Sequence, residues 1–98
     1  WDVIYVPVQL EGNAMKVRIK YVAFSSGIKE FIIPFPEYIT HSELAGSIEK
    51  LSDGTLKPIS AGFIKNGNCY GDSISLNMDS RGQEDTELLI RLMTGYKS

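Results

Sequence analysis

Thr40-His41-Ser42-Glu43-Leu44-Ala45-Gly46-Ser47-Ile48-Glu49-Lys50-Leu51 is the stretch whose reading decides the fold. Thr40 is placed to cap a helix, and Glu43, three residues later, completes a capping box. In that motif the hydroxyl accepts the Glu43 amide while the carboxylate accepts the Thr40 amide. Leu44, Ile48 and Leu51 recur at helical spacing with Ala45 beside them, and predict the face that packs on a core. Ser52-Asp53-Gly54 stops the helix. On this reading His41 stands in the first turn and faces solvent or a shallow cleft rather than the core.

Outward from this helix the sequence reads as strands. Val3 to Leu10 is rich in β-branched and aromatic residues, and Pro7 predicts an edge position. Glu11-Gly12-Asn13 turns the chain. Met15 to Phe24 then alternates, with Val17, Ile19 and Tyr21 on one face and Lys16, Arg18 and Lys20 on the other. Ser25-Ser26-Gly27 turns it again, and Ile28 to Phe35 is extended, ending among Pro34 and Pro36. Downstream, Leu56 to Ile64 is expected to pair with Cys69 to Leu76 across Asn66-Gly67, a strong hairpin signal. Pro58 lacks an N–H, so regular pairing is expected to begin after it. A last helix starts near Gln83 to Asp85, with acids in its first turn and Leu88, Leu89, Leu92 and Met93 as its apolar face. The predicted order is β-β-β-α-β-β-α. This is the α+β class: a mostly antiparallel sheet with two helices, in a single domain spanning residues 1–98.

Composition narrows the function classes. At 98 residues the chain is one domain, and 43% hydrophobic against 22% charged residues excludes a disordered tail. The net charge of −2 sets a nucleic-acid partner at a disadvantage. Cys69 is the only cysteine and His41 the only histidine, so an intrachain disulfide and a Cys-cluster metal site are excluded. A multi-histidine metal site is disfavoured on the same count. The expectation is no metal, no cofactor, and a reduced, cytoplasmic setting. No apolar run approaches the ~18–20 residues of a transmembrane helix, and no signal-peptide pattern is read at the N-terminus. No membrane partner is therefore expected.

Three groups of residues can carry chemistry. Free backbone N–H groups at a helix start favour an anion, phosphate above all, and the same positive end disfavours an imidazolium. His41 is thereby expected to be neutral near pH 7 and able to accept a proton as a general base; the alternative is a polar residue on a helix end. Ser73 and Ser75 share one face of a strand in Tyr70-Gly71-Asp72-Ser73-Ile74-Ser75, where hydroxyls can complete an anion cradle; the alternative is an ordinary amphipathic strand. The Lys16, Arg18, Lys20 stripe either attracts a phosphorylated ligand or is the solvated face of an edge strand. Ser80-Arg81-Gly82 either contacts an anion or caps the last helix. A Gly-rich phosphate loop ending in Lys-Ser/Thr is absent, and Gly71-Asp72-Ser73-Ile74-Ser75 is not a G-x-S-x-G elbow.

These residues resemble the Janus/Ocnus protein histidine phosphatase family. Thr40-His41-Ser42-Glu43-Leu44 looks like the family's Tyr-His-Ala-Asp-Ile-like entry into its first helix. Tyr70-Gly71-Asp72-Ser73-Ile74-Ser75 looks like its Tyr-Gly-Tyr-Ser-Met-Ala-Tyr-Gly-like strand. Lys29-Glu30 stands at a family-like spacing before His41, and Ser60-Ala61-Gly62-Phe63-Ile64 lies where the family has a Gly-Gly-Gly-Arg-Ile-like run. The likeness covers roughly Met15 to Met93.

The resemblance implies a small α+β fold in which His41 is the general base that activates water against a phosphohistidine. It implies a phosphate held by backbone N–H groups and hydroxyls around His41, Ser42, Ser73 and Ser75, with Lys16 matching the lysine of the family's first strand. Two family arginines are replaced, one by Phe63 and one near Ile33, and the strand Val3 to Leu10 is additional. Losing such cations weakens stabilisation of a transferring phosphoryl group. The expected function is hydrolysis of phosphohistidine or a related phosphoramidate, with a phosphate-bearing ligand or phosphoprotein as partner. The alternative is a non-catalytic anion-binding, protein-binding or regulatory module on the same scaffold.

Overall fold

The computed structural model describes residues 17–97; the expected strand Val3 to Leu10 and Lys16 lie outside them. The described elements are β1 (Ile19–Ser25), β2 (Glu30–Pro36), α1 (His41–Leu51), β3 (Lys57–Lys65), β4 (Asn68–Tyr70), β5 (Asp72–Ser73), β6 (Met78–Asp79) and α2 (Gln83–Lys97). Strands β2-β1-β3-β4 form one antiparallel sheet in that order, and β5 pairs with β6 in a second, two-stranded one. The α+β class and the mostly antiparallel pairing are those the sequence predicts.

β1 is central, and both of its faces are covered. Tyr21 and Ala23 pack with Ile32, Cys69, Leu88 and Leu89 under α2. Val22 and Phe24 pack with Phe35, Ala45 and Ala61 under α1. Tyr21 to Phe24 is therefore a continuous buried run, while Val17 and Ile19 are exposed, so burial does not follow the apolar–polar alternation read for this strand. Pro34 lies in β2, at the end of the sheet order, where its missing N–H breaks no ladder bond. Pairing does not wait for Pro58 as expected: β3 starts at Lys57, with Ser25 facing Lys57 and Phe24 facing Pro58, and a bulge separates these pairs from Ala23 facing Ser60.

Two helical faces differ from the sequence reading. The buried side of α1 starts with His41 and runs through Ala45, with Ile48 packed beside it, at i, i+4 and i+7. Leu51 lies off this stripe in the last turn and is exposed. Along α2, Leu88 and Leu89 are buried while Leu92 and Met93 are exposed.

The Asn66-Gly67 turn closes the hairpin of β3 and β4 as expected, both residues having positive φ (52° and 79°) as a two-residue loop of this kind requires. The partner strand is shorter than predicted. It ends at Tyr70 because Gly71 takes φ +83°, and the chain re-pairs as Asp72↔Asp79 and Ser73↔Met78 around the turn at residues 74–77. Ser73 is thus a strand residue and Ser75 a turn residue, not two positions on one strand face.

α2 is anchored by a buried polar network. Asp85, fully buried, accepts the Tyr21 hydroxyl (2.5 Å), the Arg81 amide (2.9 Å) and Arg81 Nε (2.8 Å). Arg81 also pairs with Glu30 at 3.1 Å, and Ser80 Oγ accepts the Gly82 amide. Ser80-Arg81-Gly82 therefore serves the helix start and not an anion. Burial alone would raise the Asp85 carboxyl, but the bonds from Tyr21 and Arg81 outweigh it and hold it below 3.8. The Tyr21 phenol is pushed up, by burial first and by its carboxylate partner second. The stability that Asp85 contributes is complete above 3.8 and is lost as pH falls through its lowered folded value. Asp85→Ala leaves Tyr21 and Arg81 without their acceptor and is expected to cost about 3–5 kcal/mol. Urea unfolding checks this, and the gap between wild type and variant should narrow in acid.

Candidate functional site

A cleft of about 540 Å³ opens beside the start of α1. Its walls come from Arg18 and Lys20 of the β1 side, Thr40 and His41, Phe63 of β3, and the run Tyr70 to Ser75. Each piece is set by a local rule. The capping box forms as predicted: Thr40 Oγ1 accepts the Glu43 amide (3.0 Å) and Glu43 Oε1 accepts the Thr40 amide (3.1 Å). That fixes His41 as the first helical residue. The Asn66-Gly67 turn fixes Phe63 opposite Tyr70, with ring centroids 5.9 Å apart. The positive φ of Gly71 then swings Asp72 and Ser73 out of the main sheet.

His41 departs from expectation in burial. The ring is only 4% exposed, although it does line the cleft. It stands edge-on between Phe35 and Phe63, at 5.5 and 5.7 Å between centroids. Its Nε2 lies 2.9 Å from the Gly62 carbonyl oxygen. A carbonyl only accepts, so Nε2 carries the proton and the ring's lone pair is on Nδ1. The imidazole is held below its ordinary 6.5 as expected, but the leading cause is burial, with the Lys20 charge adding to it and Asp72 opposing. The neutral base form dominates near pH 7.

The cleft gathers most of the residues named from the sequence. Ser73 and Ser75 both reach it. Ser73 is buried and its Oγ accepts the Leu76 amide (3.2 Å), which leaves its hydroxyl proton to donate. Ser75 Oγ accepts the Ser42 amide at 3.2 Å, so this helix-start N–H is already engaged by the protein itself. Ser42 is exposed and contributes that amide rather than a wall of the cleft. Arg18 and Lys20 supply the positive charge. Lys20 Nζ donates to the Ile39 carbonyl at 2.8 Å, one of its three protons. Arg18 Cζ lies 4.2 Å from the Phe63 ring centroid, and its Nε is 3.6 Å from Glu37.

The aromatic wall of Phe63 and Tyr70 was not singled out in the sequence, yet it was within reach. The two residues are equidistant from the Asn66-Gly67 turn, so a two-residue hairpin loop must set them side by side. Among the described residues no group of three or more His, Cys, Asp or Glu side chains is placed to hold a metal ion, and no helix is long and apolar enough to cross a membrane. Cys69 is buried, and burial pushes its thiol up, away from the reactive thiolate. No protein-family model, curated protein or solved structure matches the chain.

Two measurements check this geometry. The His41 ring should titrate below 6.5 by NMR. The unfolded chain holds that proton more tightly, so the His41 contribution to stability is complete above 6.5 and falls as pH drops from there through the folded value. A Cβ added at Gly62 would overlap the Tyr70 carbonyl oxygen and come within 3.2 Å of the Ser80 Cβ. Gly62→Ala should therefore cost about 1–3 kcal/mol and shift the amide signals of β4.

Proposed function

We propose that this cleft binds a phosphoryl group and hydrolyses a phosphoramidate such as phosphohistidine, with His41 as general base. The observation that carries the reading is the convergence of His41, Ser73, Ser75, Arg18 and Lys20 on one cleft. The resemblance to the protein histidine phosphatases supplies the reaction class. In this reaction water adds to phosphorus and gives its proton to His41 Nδ1. The P–N bond breaks, its electron pair stays on nitrogen, and that nitrogen takes a proton from solvent. His41 then returns its own proton to solvent, so the sum is phosphoramidate plus water giving amine and phosphate.

The replaced arginine at Phe63 is less damaging than it looks in the sequence. The Arg18 guanidinium lies over the Phe63 ring, so a neighbouring strand returns a planar cation to that place. Arg18 and Lys20 together can offset the charge of a bound phosphoryl group, which is the main task of protein groups in this chemistry. Ser73 keeps a hydroxyl proton to donate to it. The second reading, a binding module without turnover, is favoured by one observation: the Ser42 N–H is taken by Ser75 and is not open to phosphate.

Steady-state kinetics on a phosphohistidine peptide, together with phosphate titration followed by NMR, separates the two readings. The wild type should turn over, and His41→Gln, whose amide N–H reaches the place of Nε2 and keeps a donor for the Gly62 carbonyl, should lose about 10²–10⁴-fold in rate while the chain stays folded by circular dichroism. Ser73→Ala should act mainly on KM. Phosphate binding without turnover selects the binding module, and rates unaffected by His41→Gln remove the general base.

A further inference from the structure

The cleft carries both signs of charge. Lys20 of β1 faces Phe63 of β3, Phe63 faces Tyr70 of β4, and Asp72 follows one residue past Gly71. Lys20, the two aromatic rings and the Asp72 carboxylate all line this cleft, Asp72 from the separate β5–β6 sheet. Asp72 is exposed and lines the cleft, and its carboxylate is near enough to His41 to oppose the lowering of the imidazole. Among the described residues no cation lies within ion-pair distance of it. Its cross-strand partner is another carboxylate, Asp79, an unfavourable like-charge pairing. A carboxylate at this place repels a bare phosphate. It is matched by a ligand that brings its own positive charge.

We infer that the ligand is a phosphorylated protein segment with an arginine or lysine about two residues from the phosphorylated side chain. This rests on the phosphoryl-binding reading above and adds a specificity to it. Both charges line one cleft, so the basic side chain follows the phosphoryl group closely, and an extended peptide advances about 7 Å over two residues. The phosphoryl group sits at the Arg18, Lys20 and His41 end. The basic side chain lies along the exposed Tyr70 ring and meets Asp72, a cation–π contact followed by an ion pair. A small phosphorylated metabolite, or a peptide with a neutral flank, leaves Asp72 uncompensated.

The test uses the full chain and three probes: inorganic phosphate, and two heptapeptides carrying a phosphoryl-triazolylalanine analogue of phosphohistidine. One peptide has arginine two residues from the analogue, the other alanine. Calorimetry should show the arginine peptide binding about five- to tenfold more tightly than the alanine peptide, as one exposed cation–π contact and one ion pair allow. Asp72→Asn should erase that preference while phosphate binds as tightly or more so. Tyr70→Leu should reduce the preference in part. Equal binding of the two peptides to the wild type, with phosphate bound, overturns the specificity and leaves the phosphoryl site standing. A preference that survives Asp72→Asn overturns it as well. Absence of binding by all three probes removes the phosphoryl reading and the specificity together.

Discussion

The carbonyl of Gly62 accepts the His41 Nε2 proton, and the space where Gly62 would carry a side chain is filled by the Tyr70 carbonyl and Ser80. This one backbone position ties the start of α1, the middle of β3, and the approach to both small strands. A buried imidazole with an unmet donor would cost the full desolvation of that group, so the bond fixes both the ring's orientation and its tautomer. A Cβ at Gly62 would overlap the Tyr70 carbonyl oxygen, beside the cleft wall. Any side chain there would push β4 outward and separate Phe63 from Tyr70, the wall on which the site is built.

The two faces of the sheet are closed by different chemistry. On the α1 face the contacts are mostly apolar, with the neutral His41 and Ser73 as buried polar residues. On the α2 face a fully buried carboxylate receives a phenol, an amide and a guanidinium. Such a group is tolerated only when every acceptor position is met, and it then specifies one docking geometry for the helix. β1 serves both faces. Tyr21 donates to Asp85 on one side, while Lys20, one residue earlier, points its charge at the cleft on the other. The period of two along one strand thus separates the structural network from the candidate site.

Much of the cleft's hydrogen-bonding capacity is spent on building the cleft. Thr40, Ser73, Ser75 and Lys20 all hold the protein together through side-chain bonds to amides or carbonyls. What remains for a ligand is charge from Arg18 and Lys20, hydroxyl protons on the serines, the lone pair on His41 Nδ1, and the Asp72 carboxylate. On the proposed reading, the layout of charge and not a dense set of backbone donors is what selects the ligand.

The capping box, the Asn66-Gly67 turn and the alternation of strand and helix are local, and the sequence by itself determined them: each depends on residues within about four positions. The α+β class followed from their order, and His41, Ser73 and Ser75 were legible as candidates from residue type at a helix start and near a strand. Three things were decided only by the tertiary structure. The face of α1 that is buried depends on what lies beneath it: His41, bonded to the Gly62 carbonyl, and Ala45 are buried, Leu44 and Ile48 pack against the same core, and only Leu51 of the predicted stripe is exposed. The break at Gly71 depends on a backbone angle that glycine permits and does not compel. The pairing of Asp85 with Tyr21 joins residues 64 positions apart. No periodicity reports a contact of that span, because burial supplies the energy that makes it, and burial is a property of the assembled sheet and helices.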